Sequence, residues 1–259
     1  ELTLTENTQP AIVTVSIAVF RLLKSFGIAP AFVAGHSLGE YSANVAAGTI
    51  SFADALRTVR RRGRYMQEAV PVGVGGMAAI LGMPLVNIHA LCDRVSGEGR
   101  IVQPANLNGI EQIVIAGHLS AVEEVSRLAS ENGAKKSIML PVSAPFHCPL
   151  MKPAEIKLQK ELDQTEFKDH QIPVVCNVDA QPVSKGSFAC DALVRQVCSP
   201  VRWVETMEYL IGKGIEVVIE LGTGKVLSGL MRRFNNNVRC FQVGDPISLQ
   251  KTIEAIKNL

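Results

Sequence analysis

The chain has 259 residues, enough for one large domain or for a main domain that carries a smaller one. Hydrophobic residues make up 47% and the formal net charge is only +2, so a sizeable core can be buried. Neither a nucleic-acid nor a membrane-surface role is advertised. Six scattered cysteines form no C-x-x-C pair, which reads as reduced thiols in a cytoplasmic protein; Cys148 alone, beside a histidine, is a candidate reactive thiol. No signal peptide or membrane span is visible, and the chain opens on Glu1, which hints at a fragment or a processed product.

In chain order, residues 9–26 carry apolar positions at helical spacing, opened by Asn7-Thr8 and Pro10 and closed by Gly27. Ala31–Ala34 is a short apolar run that predicts a buried strand. Helices are expected from Glu40 to Ala47 and from about Phe52 to Ala69, and residues 70–76 form a Pro/Gly break. The next stretch predicts strand Met77–Gly82, helix Leu85–Val95, strands Ile101–Asn106 and Gln112–Ala116 around Asn108-Gly109, helix Leu119–Asn132 and strand Lys136–Val142. That β-α-β-β-α-β order is ferredoxin-like. From Pro149 helices and parallel-type strands alternate, with strands at Val174–Val178, Val217–Leu221 and Val238–Val243 and a closing helix at Ser248–Leu259. The expected fold is therefore α/β, with a hydrolase-like parallel-sheet large subdomain (1–74 and 143–259) and an inserted ferredoxin-like small subdomain (75–142).

Gly35-His36-Ser37-Leu38-Gly39 lies between an apolar strand and a helix, the setting of a nucleophile elbow. The glycines leave room for the turn and for substrate, and the backbone N–H of Leu38 at the helix start can face an oxyanion. A serine nucleophile needs a base. Of the five histidines, His36 points away from Ser37, His89 and His118 fall in the small subdomain, and His170 sits in a charged stretch that reads as surface. His147, in a loop where the chain re-enters the main domain, is the best candidate. No acid stands out as its orienting group. Neither Gly-rich run, Gly73-x-Gly75-Gly76 or Gly222-x-Gly224, fits a dinucleotide fingerprint, and no His/Cys cluster has metal spacing.

These residues resemble one family. Gly35 to Ala43, Arg62-Gly63-x-x-Met66-Gln67 and Pro145-Phe146-His147-Cys148-x-x-Met151 are similar to malonyl-CoA:acyl carrier protein transacylases of bacterial fatty-acid synthesis. So are Asn7 to Ala11, Arg195-Gln196-x-x-x-Pro200-Val201-x-Trp203 and Gly222-x-Gly224-Lys225-Val226-Leu227, and the match runs along essentially the whole chain. The resemblance implies a Ser37–His147 dyad whose histidine is oriented by the backbone carbonyl of Gln196. It implies that Arg62 clamps the free malonyl carboxylate, with Met66 and Phe146 in the substrate site. The guanidinium fork suits a carboxylate. Helical spacing puts Arg62 on one edge of the apolar face of its helix and Arg60 on the other, and geometry alone does not choose between them. Phe146 goes with malonyl in related polyketide acyltransferases, and plain packing serves equally well as its reason.

The implied activity is malonyl transfer from coenzyme A to acyl carrier protein in fatty acid biosynthesis. No cofactor, metal, nucleic acid or membrane enters, because the coenzyme A thioester and phosphopantetheine are substrate groups. The rivals are a polyketide-synthase acyltransferase domain, a serine thioesterase or esterase, and a non-catalytic carrier-binding remnant. The family opens with a strand and a Gly-Gln-Gly-Ser-Gln-type loop whose Gln helps form the oxyanion hole, and nothing like it precedes Glu1. The expectation is that one oxyanion donor is missing from this chain, at a cost of roughly 10²–10³ in rate.

Overall fold

The computed structural model describes residues 2, 4–97, 99–142 and 144–258. Glu1, Ser143 and Leu259, on which expected boundaries fall, lie outside the described residues.

The chain opens with α1 (Thr5–Ser25), which starts earlier than the proline suggests. Pro10 sits inside the helix, where its missing N–H costs one bond in the second turn. β1 is only Val33–Ala34, followed by α2 (Gly39–Ala46) and α3 (Phe52–Glu68). Ser51 caps α3 by accepting from the Asp54 N–H at 3.0 Å. One face of α3 buries Ala55, Val59, Arg62, Gly63 and Met66, whereas Arg57, Arg60, Arg61 and Arg64 are exposed.

The middle of the chain forms β2 (Gly75–Leu81), α4 (Leu85–Val95), β3 (Val102–Gly109), β4 (Gln112–His118), α5 (Leu119–Glu131) and β5 (Lys136–Met139). Their sheet is antiparallel, in the order β3-β4-β2-β5, which is the ferredoxin-like order with β2 and β4 at the centre. Its apolar face packs on α4 and α5 through Ile80, Ile88, Ile113, Ile115, Val122 and Val125. The hairpin turn is Ile110-Glu111, and Asn108-Gly109 belongs to β3. Register shifts at Pro104/Asn106 and Leu107/Gly109 add residues to β3 and push the turn outward. Pro104 is tolerated because β3 is an edge strand.

After a short 3-10 turn at Pro149–Met151 come α6 (Lys152–Leu162), β6 (Val174–Val175), β7 (Pro182–Val183), α7 (Gly186–Arg195) and α8 (Trp203–Gly212). β8 (Val217–Leu221), α9 (Val226–Phe234), β9 (Arg239–Val243) and α10 (Pro246–Lys257) complete the chain. β1 pairs with β6 and β8 with β9, both in parallel, as expected of an α/β fold, and β7 adds an antiparallel edge to β6. The strand expected at Val174–Val178 stops at Val175, because Asn177 turns inward to bond the elbow. A core of Val13, Tyr41, Val59, Met66, Met151, Leu158, Leu193 and Val197 lies behind α2 and α3. Among the described residues no helix is long and apolar enough to cross a membrane.

Candidate active site

The elbow is built where β1 ends and α2 begins. A Cβ on Gly35 would lie 2.0 Å from the Gly39 carbonyl carbon, so the turn requires glycine there. Gly39 is different, because a Cβ on it would meet open space. That glycine leaves room in front of the turn and is not needed to make it. Ser37 takes a φ of 51°, a left-handed conformation that a non-glycine residue holds only under constraint. The constraint is visible. Its N–H donates to Asn177 Oδ1 at 2.7 Å, and its carbonyl accepts from Gln196 Nε2 at 3.0 Å. Asn177 Nδ2 also donates to the Gly35 carbonyl at 2.8 Å, so one side chain braces both sides of the turn.

His147 comes from the loop before α6 and has a φ of 61°. Its Nε2 lies 2.7 Å from Ser37 Oγ, and its Nδ1 lies 2.8 Å from the Gln196 backbone carbonyl. A carbonyl can only accept, so the proton sits on Nδ1 and Nε2 is left to accept from the serine hydroxyl. Burial, with the Arg62 cation second, pulls the imidazole down to about 3, which keeps it neutral. Gln103, on β3, donates from Nε2 to the His147 carbonyl at 3.1 Å.

Arg62 is 2% exposed. Its Nη1 donates to Gln9 Oε1 at 2.9 Å, and its Nη2 donates to Gln196 Oε1 at 2.9 Å and to Ser37 Oγ at 3.1 Å. Its Nε is buried with no partner, and among the described residues no carboxylate pairs with the guanidinium. The cation also sits over the Tyr41 ring, 5.6 Å from its centroid. The choice that helical spacing left open is thus resolved geometrically: Arg62 faces the serine and Arg60 faces solvent.

The remaining expected site residues fall nearby. Met66 lies one turn beyond Arg62, buried against the core behind α2. Phe146 is half-buried and packs both on the core behind α2 and α3 and on Met77, Ala105, Val114 and Ala116 of the four-stranded sheet's cluster. Leu38, half-buried, precedes α2, and among the described residues no acceptor is bonded to its N–H. Cys148 is fully buried, donates to the Pro145 carbonyl, and is pushed up to about 12 by burial, so it is no reactive thiol. His170, expected at the surface, is half-buried with its Nε2 3.1 Å from Asn44 Oδ1. His36 turns away from Ser37, 2.8 Å from Asn108 Oδ1 and beside Trp203.

Sequence reasoning missed Glu40, Asn177, Gln103 and the part played by the Gln9 side chain. Glu40 left a signal: it shares the buried face of α2 with Tyr41, Ala43 and Asn44, an unusual place for an acid. Among the described residues no group of His, Cys, Asp or Glu side chains could hold a metal ion.

A serine on a strained strand-to-helix turn, a neutral histidine on its hydroxyl and a buried guanidinium beside both define an acyl-transfer type of site on an α/β fold. The model of the acyl transferase domain family matches residues 1–237. The chain belongs to that family and, within it, to the malonyl CoA-acyl carrier protein transacylases. It is 51% identical over 257 residues to the malonyl CoA-acyl carrier protein transacylase of Bacillus subtilis (strain 168), covering 99% of this chain and 81% of that one. The crystal structure of an acyl-carrier-protein S-malonyltransferase from Burkholderia pseudomallei 1710b superposes with a TM-score of 0.95 at 48% identity, covering 98% and 83%. A malonyl-transacylase solved in complex with a type II PKS acyl-carrier protein gives 0.96 at 44% identity, covering 98% and 82%.

Proposed function

We infer that this chain moves a malonyl group from coenzyme A to the phosphopantetheine thiol of an acyl carrier protein, by way of an ester on Ser37. Arg62 carries the reading: a buried cation, in hydrogen-bond reach of Ser37 Oγ, whose Nε is unpartnered and which pairs with no carboxylate among the described residues. The Nε/Nη2 edge of a guanidinium is a fork for one carboxylate. A malonyl group seated on it brings its thioester carbon to Ser37 Oγ. Neutral His147 takes the serine proton on Nε2 as Oγ attacks, and the Leu38 N–H receives the developing oxyanion. Collapse breaks the C–S bond, and the imidazolium returns its proton to the departing coenzyme A sulfur. The carrier's thiol then loses its proton to His147 Nε2, attacks the ester, and Ser37 Oγ recovers the proton. The Gln196 carbonyl holds the ring and supports its positive charge throughout, without needing a carboxylate. Met66 and Phe146 shape the acyl pocket.

The coenzyme A thioester and the carrier's phosphopantetheine thiol are both substrate groups, so the chemistry calls for no resident cofactor. Fatty acid biosynthesis in the cytoplasm is the setting we assign, on the named relatives and the six free thiols. We divide the chain into a large part (1–74 and 143–259) and a ferredoxin-like part (75–142), because the four-stranded sheet spans Gly75 to Met139 with its own core. A second reading of the carrier, as one that serves polyketide synthesis, is favoured by the type II PKS partner of the solved malonyl-transacylase.

Replacing Arg62 with Ala tests the reading. Malonyl transfer should fall roughly 10²–10³-fold and acetyl transfer far less, since a lost buried charge pair is worth about 3–5 kcal/mol. Equal losses on both donors would remove Arg62 from the substrate site.

A further inference from the structure

One buried acid beside the dyad has no part in the steps above. Glu40 is 1% exposed and lies in the first turn of α2. Its Oε2 accepts from the Asn177 N–H at 3.0 Å and from Gln196 Nε2 at 2.7 Å. That same amide faces Arg62 with its other end, where Oε1 accepts from Nη2 at 2.9 Å. The Gln196 amide therefore has a required orientation. Arg62 can only donate, so the oxygen must point at it; Ser37 O and Glu40 Oε2 are the acceptors that hold the nitrogen on the opposite side.

We propose that Glu40 is a positioning residue for acyl selectivity: its carboxyl holds the Gln196 amide with its oxygen toward Arg62, and so sets the guanidinium against Ser37 Oγ. The inference rests on the reading of Arg62 as the seat of the malonyl carboxylate. The Ser37 carbonyl also accepts from the Glu40 N–H at 3.1 Å, and Asn177 Oδ1 lies 3.5 Å from the amide nitrogen, so the 2.7 Å bond to Glu40 is the shortest of the three that hold it. An acid here is costly: burial pushes the carboxyl up to about 7, and among the described residues no ion pair to Glu40 is present. A core that needed only filling would be served better by an apolar side chain.

The test compares Glu40→Met, Glu40→Gln and Arg62→Ala on malonyl-CoA and acetyl-CoA, reading the ratio of the two kcat/KM values. Methionine keeps the length and removes the acceptor; glutamine keeps an acceptor oxygen. Glu40→Met should lower the malonyl-to-acetyl ratio at least about tenfold, the equivalent of one lost hydrogen bond to a charged network. Glu40→Gln should stay within about threefold of wild type, because one acceptor oxygen can still hold the amide. Loss of both activities in equal measure by Glu40→Met, or a fall in Glu40→Gln as deep as in Glu40→Met, overturns the proposal. Should Glu40→Met not fold, Glu40→Asp takes its place, since it keeps the charge but withdraws the oxygen from Gln196; a lowered ratio there supports the proposal and an unaltered one overturns it. An unaltered ratio in Arg62→Ala sinks the carboxylate-seat reading itself; a lowered ratio there with an unaltered one in Glu40→Met sinks only the role of Glu40.

Discussion

Ser37 and His147 share an uncommon property: both hold positive φ angles of 51° and 61° without being glycine. Each strained backbone is tied by side chains from elsewhere. Asn177 and Gln196 take the backbone N–H and carbonyl of Ser37, and Gln103 takes the carbonyl of His147. Such strain persists only where the surroundings over-determine it. The base is tuned by the same enclosure. His147 is held down to about 3 by burial and then by Arg62, so it stays neutral, and able to accept a proton, well below the usual histidine range. The pH dependence of kcat/KM for malonyl-CoA reports groups of the free enzyme. It should stay flat from about pH 8 to about pH 5, with no limb near the ordinary histidine value of about 6.5. A limb there that persists in Glu40→Gln, which removes the acid held near 7, would mean that His147 titrates like an exposed histidine, contrary to its burial. A carboxylate bound at Arg62 would relieve only the second of these two causes and leave the larger one, burial, in place.

At the scale of elements, α1 and α3 set Arg62 in place. They meet so closely at Gly63 that a Cβ there would lie 2.7 Å from the Thr5 carbonyl oxygen. The contact brings Gln9 to the guanidinium. Gly63→Ala should therefore destabilise the protein by about 1–3 kcal/mol in urea unfolding, as overpacking does. Gly39→Ala, in a helix with open space at its Cβ, should be neutral or gain up to about 1 kcal/mol. Equal effects at the two glycines would refute this division. Much of this arrangement is legible from residue order: the elbow, the buried edge of α3 and the β-α-β-β-α-β run all follow from periodicity and turn chemistry. The errors have local causes. The strand expected through Val178 breaks because Asn177 serves the elbow, and the hairpin turn moves because bulges lengthen β3. The orienting group of His147 has no residue-type signature, since a backbone carbonyl belongs to every residue; only the resemblance pointed to Gln196.

Across the whole molecule, one edge strand links the ferredoxin-like part to the chemistry. β3 reaches the base through Gln103 and the elbow through Asn108 and His36. It also pairs with Val201, five residues past Gln196, by bonds of 2.9 Å in each direction. The dyad is therefore held from both parts of the chain. The buried polar network behind them is almost fully satisfied, which is the condition under which such a network rigidifies a site. Among the described residues its exceptions include Arg62 Nε and the hydroxyl of Tyr41, whose ring lies 5.6 Å from the guanidinium.

The central claim is a malonyl ester on Ser37. Incubation with malonyl-CoA labelled in the malonyl group, in the absence of carrier, followed by acid quench and peptide mass analysis, tests it most directly. Stoichiometric label should appear on the peptide that contains Ser37, vanish in Ser37→Ala, and leave the protein when holo-acyl carrier protein is added. Label that survives Ser37→Ala, or a protein that releases free malonate and never carries label, would contradict the account.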